Sequence, residues 1–203
     1  MPDAREIPDG GLVARVASGD LVAFDVLYDR YQHVVYRFAR AMTGSHDAAE
    51  DITQEVFVAL FTDAERYDER RAAFSTYLYG MVRNLSRARL RKDRRLSLPG
   101  ASSLTIESER DDPQVEIERA ELAALVRRAL LRIPSRYREL ILLCDLHGLS
   151  YQEAAAVVES SVGAVRSRLH RGRQLLKLRM TGALTRPSRR SQPRVPTAIG
   201  CAT

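Results

Sequence analysis

Residues 149–176 read LSYQEAAAVVESSVGAVRSRLHRGRQLL, and this stretch decides the fold of the C-terminal half of the chain. Ser150 can cap a helix that runs through Val158, and Ser160 or Ser161 can cap a second helix directly after it. Two helices separated by so tight a turn form a helix-turn-helix. The sequence therefore predicts this motif.

The second of these helices has one apolar side and one polar, basic side. At a period of about 3.6 residues, the apolar side consists of Val162, Val165, Leu169, Gly172 and Leu176. The outward side and its edge carry Arg166, Ser167, His170 and Arg171. Small residues at the start of the helix allow a close approach to base edges, and arginines further along reach guanine edges or phosphates. The pattern favours a DNA-reading helix over a merely solvated basic helix.

The composition is that of a globular protein with a polyanionic partner. The chain has 203 residues, 45% hydrophobic residues and a net charge of +6. Its two cysteines, Cys144 and Cys201, have no second thiol nearby, so we expect neither a disulfide framework nor a zinc site, and no cofactor.

The N-terminus MPDAREIPDG lacks the apolar segment of a signal peptide, and no apolar run approaches the roughly 18 residues of a membrane span. We expect a cytoplasmic protein without membrane insertion.

The N-terminal half shows helical periodicity from residue 19 onward. A first amphipathic pattern ends at Gly44, and Ser45 can cap the next helix. One side of that next helix is a polar stripe made of Asp47, Asp51, Gln54 and Glu55. Such a stripe is either a solvated face or a docking surface for a basic partner.

A third helix begins at Phe74, after a charged loop over residues 62–73. Its side opposite the apolar face carries Tyr79, Arg83, Arg87, Arg91 and Arg94. Between residues 83 and 95 there are seven basic residues and one acid, and Tyr67 and Tyr77 lie close by in the sequence. Dense arginine beside tyrosine suits a nucleic-acid surface that combines phosphate attraction with base stacking, with a solubilising basic helix as the alternative.

The predicted fold is all-α, with two small helical domains joined by a flexible acidic linker. The predicted boundaries are an N-terminal tail over residues 1–18, a first domain over 19–95, a linker over 96–114, a second domain with the helix-turn-helix over 115–180, and a disordered basic tail over 181–203.

Three blocks of the chain resemble the extracytoplasmic-function (ECF) group of bacterial sigma factors. They are DAAEDITQEVF at residues 47–57, FSTYLYGMVRNLSRARLRKDRR at 74–95, and LRIPSRYRELILLCDLHGLSYQEAAAVVESSVGAVRSRLHRGRQLL at 131–176. Their order and spacing are those of the family. The resemblance implies a non-enzymatic subunit that binds core RNA polymerase and directs promoter-specific transcription initiation at −35 and −10 elements. It also implies an anti-sigma factor as a partner.

The resemblance also assigns roles to residues of this sequence. It implies polymerase binding by Asp47, Asp51, Gln54 and Glu55. It implies −10 recognition and strand opening by Tyr77, Arg83, Asn84, Arg87 and Arg91. It implies −35 recognition by Arg166, Ser167 and Arg171, with His170 on the same outward face. Two positions depart from the family: Tyr77 stands where tryptophan is frequent, and Glu159 stands where glycine is common.

Two other functions fit parts of the sequence. A free-standing helix-turn-helix regulator would bind duplex promoter DNA without polymerase. A DNA-processing enzyme such as a recombinase would need a nucleophilic serine or tyrosine within an arginine cluster. Tyr77 and Tyr79 lie beside arginines, but their helical setting argues against that enzyme. We therefore expect no catalytic residues.

Overall fold

The computed structural model describes residues 6–96 and 116–184, and all regular elements in these two ranges are helical. The first range contains α1 (Asp9–Ala17), α2 (Leu21–Thr43), α3 (His46–Thr62), a 3₁₀ turn (Ala64–Arg66) and α4 (Phe74–Leu96). The second contains α5 (Glu116–Leu131), α6 (Ser135–Ile141) with a π-helical continuation (Leu142–Leu146), α7 (Tyr151–Val158) and α8 (Val162–Leu184). The predicted all-α fold is confirmed.

Local signals set the ends of the helices in the first domain. The Asp20 carboxylate accepts hydrogen bonds from the backbone N–H groups of Val22 and Ala23 at the start of α2. Gly44 ends α2 with φ of 80°, a left-handed conformation that glycine adopts without a steric penalty. The Ser45 hydroxyl then accepts from Ala48 N–H and caps α3. These caps let α2, α3 and α4 pack around one apolar core, which includes Leu27, Phe38, Met42, Ile52, Val56, Leu60, Leu78 and Val82.

Helix α1 corrects the prediction that residues 1–18 form a tail. Leu12, Val13 and Val16 are buried against the first domain, and Asp9 accepts hydrogen bonds from the side chains of Arg30 and Tyr31 on α2. The apolar stripe of this helix spans little more than one turn, and two glycines precede it. Such a short pattern is too weak to identify a helix from sequence, so tertiary packing decides its structure.

The second domain is built around the crossing of α6 and α8. Gly172 lies where α8 passes closest to α6, because a Cβ atom there would come within 3.1 Å of the Ile141 side chain and 3.3 Å of the Tyr137 carbonyl oxygen. Val165 and Leu169 are buried on the same side of α8. The predicted apolar side of the helix is thus the side that packs, although Val162 at its start is exposed.

The ends of α4 and α8 differ slightly from the predicted boundaries. Leu96 belongs to α4, and the remainder of the predicted linker lies outside the described residues. Helix α8 continues to Leu184, four residues into the predicted tail, because residues 177–184 are mostly good helix formers. The rest of that tail lies outside the described residues. Among the residues that the structure describes, no helix has the length and apolar character needed to span a bilayer.

Candidate polymerase and nucleic-acid interfaces

The helix-turn-helix begins with a reciprocal pair of capping hydrogen bonds, and its turn contains one residue in a strained backbone conformation. The Ser150 hydroxyl accepts from Glu153 N–H at 3.2 Å, and Ser150 N–H donates to the Glu153 carboxylate at 2.8 Å. Hydrogen bonding from the Ser150 side chain and backbone to the Glu153 carboxylate lowers the pKa of Glu153. Glu159 forms the turn with φ of 52°, a left-handed conformation that costs about 1 kcal/mol for a residue other than glycine. Ser161, and not Ser160, caps α8 by accepting from Ala164 N–H at 3.2 Å.

The predicted −35 residues lie together on the exposed side of α8. Arg166, Ser167, His170 and Arg171 are all exposed, opposite the buried Val165 and Leu169. Gln174 joins this face through contacts with His170 at 2.9 Å and Arg171 at 3.4 Å. A face with two arginines, an imidazole and an amide can donate hydrogen bonds to base edges and phosphates.

Arg173 has a different environment from its arginine neighbours on α8. Its guanidinium Nε donates to the Asp145 carboxylate at 3.1 Å, which ties α8 to the π-helical turn. The ion pair therefore belongs to the structure of the second domain and leaves the arginines on the outward face as the available cations.

A cleft of about 620 Å³ lies beside the N-terminal half of α4. One wall consists of the predicted residues Tyr77 and Asn84, with Tyr67 from the preceding loop. The rings of Tyr67 and Tyr77 have centroids 5.5 Å apart, and burial raises the pKa of Tyr77, so its hydroxyl stays neutral. The two rings are tilted at 51° to each other. A cleft lined by two tyrosines and an amide can accept an unstacked base.

The sequence did not single out Arg66 and Arg71, which also line this cleft. Both lie in the charged loop before α4, where alternating acids and bases gave no periodic signal. Their proximity to the tyrosines depends on how the loop folds back over α4. They add two cations to a cleft that the sequence located only on the helix, and Asp68 and Glu159 add two carboxylates.

Tyr79 and Arg83 were predicted on the outer side of α4, and this prediction is wrong for the arrangement in the structure. Both side chains are buried, with exposed fractions of 7% and 6%. The physical reason is that α7 packs on α4, so the second domain covers the side that the first domain leaves open. Asn84 and Arg91 remain exposed, and Arg87 is half-buried.

Arg83 is held by the second domain. Its Nε donates to the Glu139 carboxylate at 3.1 Å, and its two terminal nitrogens donate to the carbonyl oxygens of Val157 at 3.3 Å and Val158 at 3.4 Å. Arg87 lies 4.0 Å from the same carboxylate. Glu139 itself is 1% exposed, so this is a buried ion pair between two domains.

Two further polar contacts join the domains. Arg138 on α6 donates to the Met42 carbonyl oxygen at 2.7 Å, and burial lowers the pKa of Arg138 to about 10, with the charge of Arg94 as a second cause. His147 Nδ1 lies 2.9 Å from the Tyr79 hydroxyl. Burial, with the charge of Arg37 as a second cause, lowers the pKa of His147 to about 4, so the imidazole is neutral at pH 7.

The predicted polymerase residues form an exposed stripe on α3. Asp47, Asp51, Gln54 and Glu55 all point away from the core, and Asp51 pairs with Arg89 of α4 at 3.2 Å. Large apolar side chains are exposed in the same domain: Leu21, Val22, Val58 and Phe61. Phe61 packs on Phe24 with ring centroids 5.3 Å apart. Acidic groups beside exposed apolar side chains are typical of a protein-binding surface.

Comparison with known proteins identifies both domains. Residues 27–96 match the family described as Sigma-70 region 2, and residues 123–176 match Sigma-70, region 4. The chain is 32% identical to the ECF RNA polymerase sigma factor SigW of Bacillus subtilis, over 81% of this chain and 92% of that relative. It is 33% identical to the ECF RNA polymerase sigma-E factor of Escherichia coli K12, over 85% of this chain and 94% of that relative.

Two further comparisons agree. The chain is 33% identical to the ECF RNA polymerase sigma factor SigE of Mycolicibacterium smegmatis over 79% of its length, but spans only 64% of that longer relative. The solved structure of CnrH in complex with the cytosolic domain of CnrY superposes with a TM-score of 0.63 at 27% identity, covering 89% of this chain and 99% of that chain.

A region 2 domain followed by a region 4 domain defines a sigma factor of the sigma-70 type, a non-enzymatic subunit of RNA polymerase. More narrowly, the chain belongs to the ECF RNA polymerase sigma factors, which direct promoter-specific transcription initiation. The predicted family, function and absence of enzymatic activity are confirmed. The free-standing regulator and the recombinase are set aside.

Proposed function

We propose that this ECF sigma factor engages its partners through three separate surfaces. The stripe on α3, together with the neighbouring apolar side chains, binds core RNA polymerase. The outward side of α8 reads the −35 element as duplex, and the cleft beside α4 receives an unstacked base of the −10 element. The observation that supports the proposal is that α3 and α8 each present the assigned side chains on one exposed face, and that Tyr77 and Asn84 line the cleft beside α4.

The functional units that we propose are residues 19–95 for polymerase and −10 binding and residues 115–180 for −35 binding. The protein would work in the cytoplasm, where core polymerase is present. The chain is similar to CnrH, which was solved in complex with the cytosolic domain of CnrY, and this likeness supports an anti-sigma factor as a partner here.

The cleft would assist strand opening by binding a base that has left the stack. Removing a base from the stack costs a few kcal/mol, and an aromatic platform returns about 1–3 kcal/mol per stacked base. Tyr67 and Tyr77 supply the platform. The Asn84 amide N–H groups can donate to a base edge, while its oxygen accepts from Arg83 at 3.1 Å. Arg66 and Arg71 attract the phosphates on either side of that base.

Reconstitution with core RNA polymerase tests the proposal as a whole. The purified chain should form a complex with core polymerase and start transcripts from a restricted set of genomic fragments. Sequencing the 5′ ends of these transcripts then gives the shared −35 and −10 sequences. A chain that binds polymerase yet starts transcripts at random positions would contradict the assignment of the two DNA surfaces.

We predict that Arg171→Ala weakens binding to the duplex −35 sequence by about 1–3 kcal/mol, because a base-reading arginine loses its bidentate contact. Fluorescence anisotropy with the duplex identified above measures this affinity. Arg179→Ala is the matched control, since Arg179 is also exposed and lies two turns further along α8. Equal losses for the two variants would show a general charge effect instead of base reading.

We predict that Tyr77→Ala slows formation of the open promoter complex by about 10- to 100-fold, the equivalent of roughly 1–3 kcal/mol of lost stacking. Tyr77→Phe should keep most of the rate because the ring supplies the stacking. Permanganate footprinting of unpaired thymines measures opening. A Tyr77→Phe variant as slow as Tyr77→Ala would assign the effect to the hydroxyl and refute stacking.

We predict that Glu55→Lys weakens binding to core polymerase by about tenfold, or ~1.4 kcal/mol, because it reverses one of the charges of the α3 stripe. Glu50→Lys carries the same charge change on the same helix but lies to the side of the stripe. Competition against a labelled sigma factor measures both affinities. The stripe is the wrong surface if Glu50→Lys weakens binding as much as Glu55→Lys.

A further inference from the structure

Helix α1 lies outside the residues that match Sigma-70 region 2, which begin at residue 27. It nevertheless packs against the 3₁₀ turn Ala64–Arg66, in the loop that lines one side of the cleft beside α4. We propose that Asp9 of α1 is a positioning residue for this cleft, because it fixes a series of packed aromatic rings that ends at Tyr77. The inference rests on the proposed binding of a −10 base in the cleft and adds a residue to that site.

Both carboxylate oxygens of Asp9 are bound by side chains of α2. One oxygen accepts from the Tyr31 hydroxyl at 2.5 Å, and the other accepts from a terminal nitrogen of Arg30 at 2.7 Å. Arg30 also donates to the Ile7 carbonyl oxygen at 3.1 Å, which fixes the chain just before α1. Hydrogen bonds to an ionised carboxylate are stronger than those between neutral groups. Burial and the hydrogen bond to Asp9 raise the pKa of Tyr31, so its hydroxyl stays protonated and remains the donor.

The ring of Tyr31 is the first of four aromatic rings that lead to the cleft. It meets Phe74 edge-on, with centroids 5.2 Å apart and an angle of 80° between the ring planes. Phe74 meets Tyr67 in the same way at 5.3 Å and 80°, and Tyr67 lies 5.5 Å from Tyr77. These four rings form the aromatic series. Because edge-to-face pairs depend on the orientation of both rings, the orientation that Asp9 gives to Tyr31 is passed on to the tyrosines of the cleft.

Close packing makes the aromatic series sensitive to the residue that anchors it. Phe74, in the middle of the series, is 2% exposed, and a closely packed interior leaves little room for one ring to turn alone. Helix α1 itself is held by buried apolar side chains: Leu12, Val13 and Val16. These apolar contacts fix the position of the helix, whereas Asp9 fixes the orientation of a ring. Loss of the Asp9 carboxylate should therefore leave α1 docked and release Tyr31.

The first turn of α1 also touches the loop that carries Tyr67. A Cβ atom at Gly10 would come within 2.1 Å of a Glu69 carboxylate oxygen, so the loop passes close to the residue next to Asp9. Burial raises the pKa of Tyr67, and the charges of Glu69 and Asp9 raise it further, since both carboxylates lie near this ring. Asp9 therefore lies where α1, α2 and the loop meet, which is the place from which one carboxylate can hold the cleft together.

The test compares Asp9→Ala with Asp20→Ala in the full-length chain. Asp20 is a close match, because its carboxylate also pairs with an arginine and its side chain has the same exposed fraction of 27%. It joins the opposite end of α1 to α2 through Arg15, whose Nε donates to Asp20 at 2.8 Å. Asp9→Asn keeps the size of the side chain and one acceptor oxygen, and serves as the conservative variant. Urea unfolding measures the loss of stability in each variant.

Tyr77→Trp provides a direct reading of the cleft, because the natural sequence contains no tryptophan. In this background we expect Asp9→Ala to shift the tryptophan emission to longer wavelength and to lower its anisotropy, since a released ring moves more and meets more water. Asp9→Asn should lie between the two. Asp20→Ala should leave both values unchanged even where it lowers stability as much. Unchanged fluorescence in a folded Asp9→Ala chain would overturn the inference, as would an equal change in Asp20→Ala.

Promoter opening with core polymerase, followed by permanganate footprinting, separates this inference from the proposed function. We expect Asp9→Ala to slow opening about three- to tenfold, because a small misplacement of a binding group lowers the rate. In the Tyr77→Ala background it should add no further loss, because it acts through that ring. Losses that multiply in the double variant would overturn the positioning role. If Tyr77→Ala alone opens promoters at the wild-type rate, the base-binding role of the cleft is wrong, while the fluorescence of Tyr77→Trp still decides whether Asp9 orients the ring.

Discussion

Leu169→Ala is expected to unfold region 4 and abolish −35 recognition while region 2 stays folded. Leu169 is 1% exposed and lies on the side of α8 that packs against α6. Replacing a fully buried leucine with alanine costs about 2–5 kcal/mol. Small domains have total stabilities of about 5–15 kcal/mol, with the smallest near the lower limit. The substitution therefore removes much or all of the stability of a four-helix domain.

Leu178→Ala is the matched control for this prediction. Leu178 lies on the same helix and is 67% exposed, so the same truncation creates no cavity. Urea unfolding followed by circular dichroism should show the early loss of one helical domain in Leu169→Ala only. Duplex −35 binding should fall by more than about 100-fold in that variant, as expected for an unfolded reader. If both variants unfold alike, α8 does not pack as the structure shows.

The local structure of this protein could be predicted from its sequence because local chemistry determines it. Gly44 ends α2 in a left-handed conformation and Ser45 caps α3, as their residue types predict. Ser150 caps α7 in the same way. Each of these effects depends on neighbours within about four residues, so a single sequence contains the information. The left-handed conformation of Glu159 is different, because only the resemblance to the family, which commonly has glycine there, pointed to it.

The apolar side of each long helix could also be predicted, since it follows from helical periodicity. The part of the chain that packs against the opposite side of a helix could not be predicted in this way. Arg83 reads as a solvated arginine, and only the approach of Glu139, 56 residues away, turns it into a buried ion pair. The sequence contains no local signal for that pairing, because the position of an arginine relative to the apolar residues of its helix is the same whether or not another domain buries it.

Phe38 occupies the position in region 2 where the apolar core meets the contact with region 4. Its side chain is fully buried, with ring centroids 5.4 Å from Tyr79 and 5.6 Å from His147. A cavity at Phe38 therefore removes support from the core and from the contact with region 4 at once. A cavity on the exposed side of the domain would affect neither.

Phe38→Ala is accordingly expected to lower the free energy of unfolding of region 2 by about 3–5 kcal/mol, the usual cost of emptying a buried phenylalanine site. Phe61→Ala is the matched control, because Phe61 is 44% exposed and should lose about 1 kcal/mol or less. Urea unfolding of the full-length chain measures both.

The two variants should also differ in function. Phe61→Ala should weaken polymerase binding in a chain that remains folded, whereas Phe38→Ala should weaken it only as far as region 2 unfolds. Lowering the temperature should therefore restore polymerase binding to Phe38→Ala and leave the defect of Phe61→Ala in place. Similar unfolding curves for the two variants would contradict the placement of Phe38 in the core.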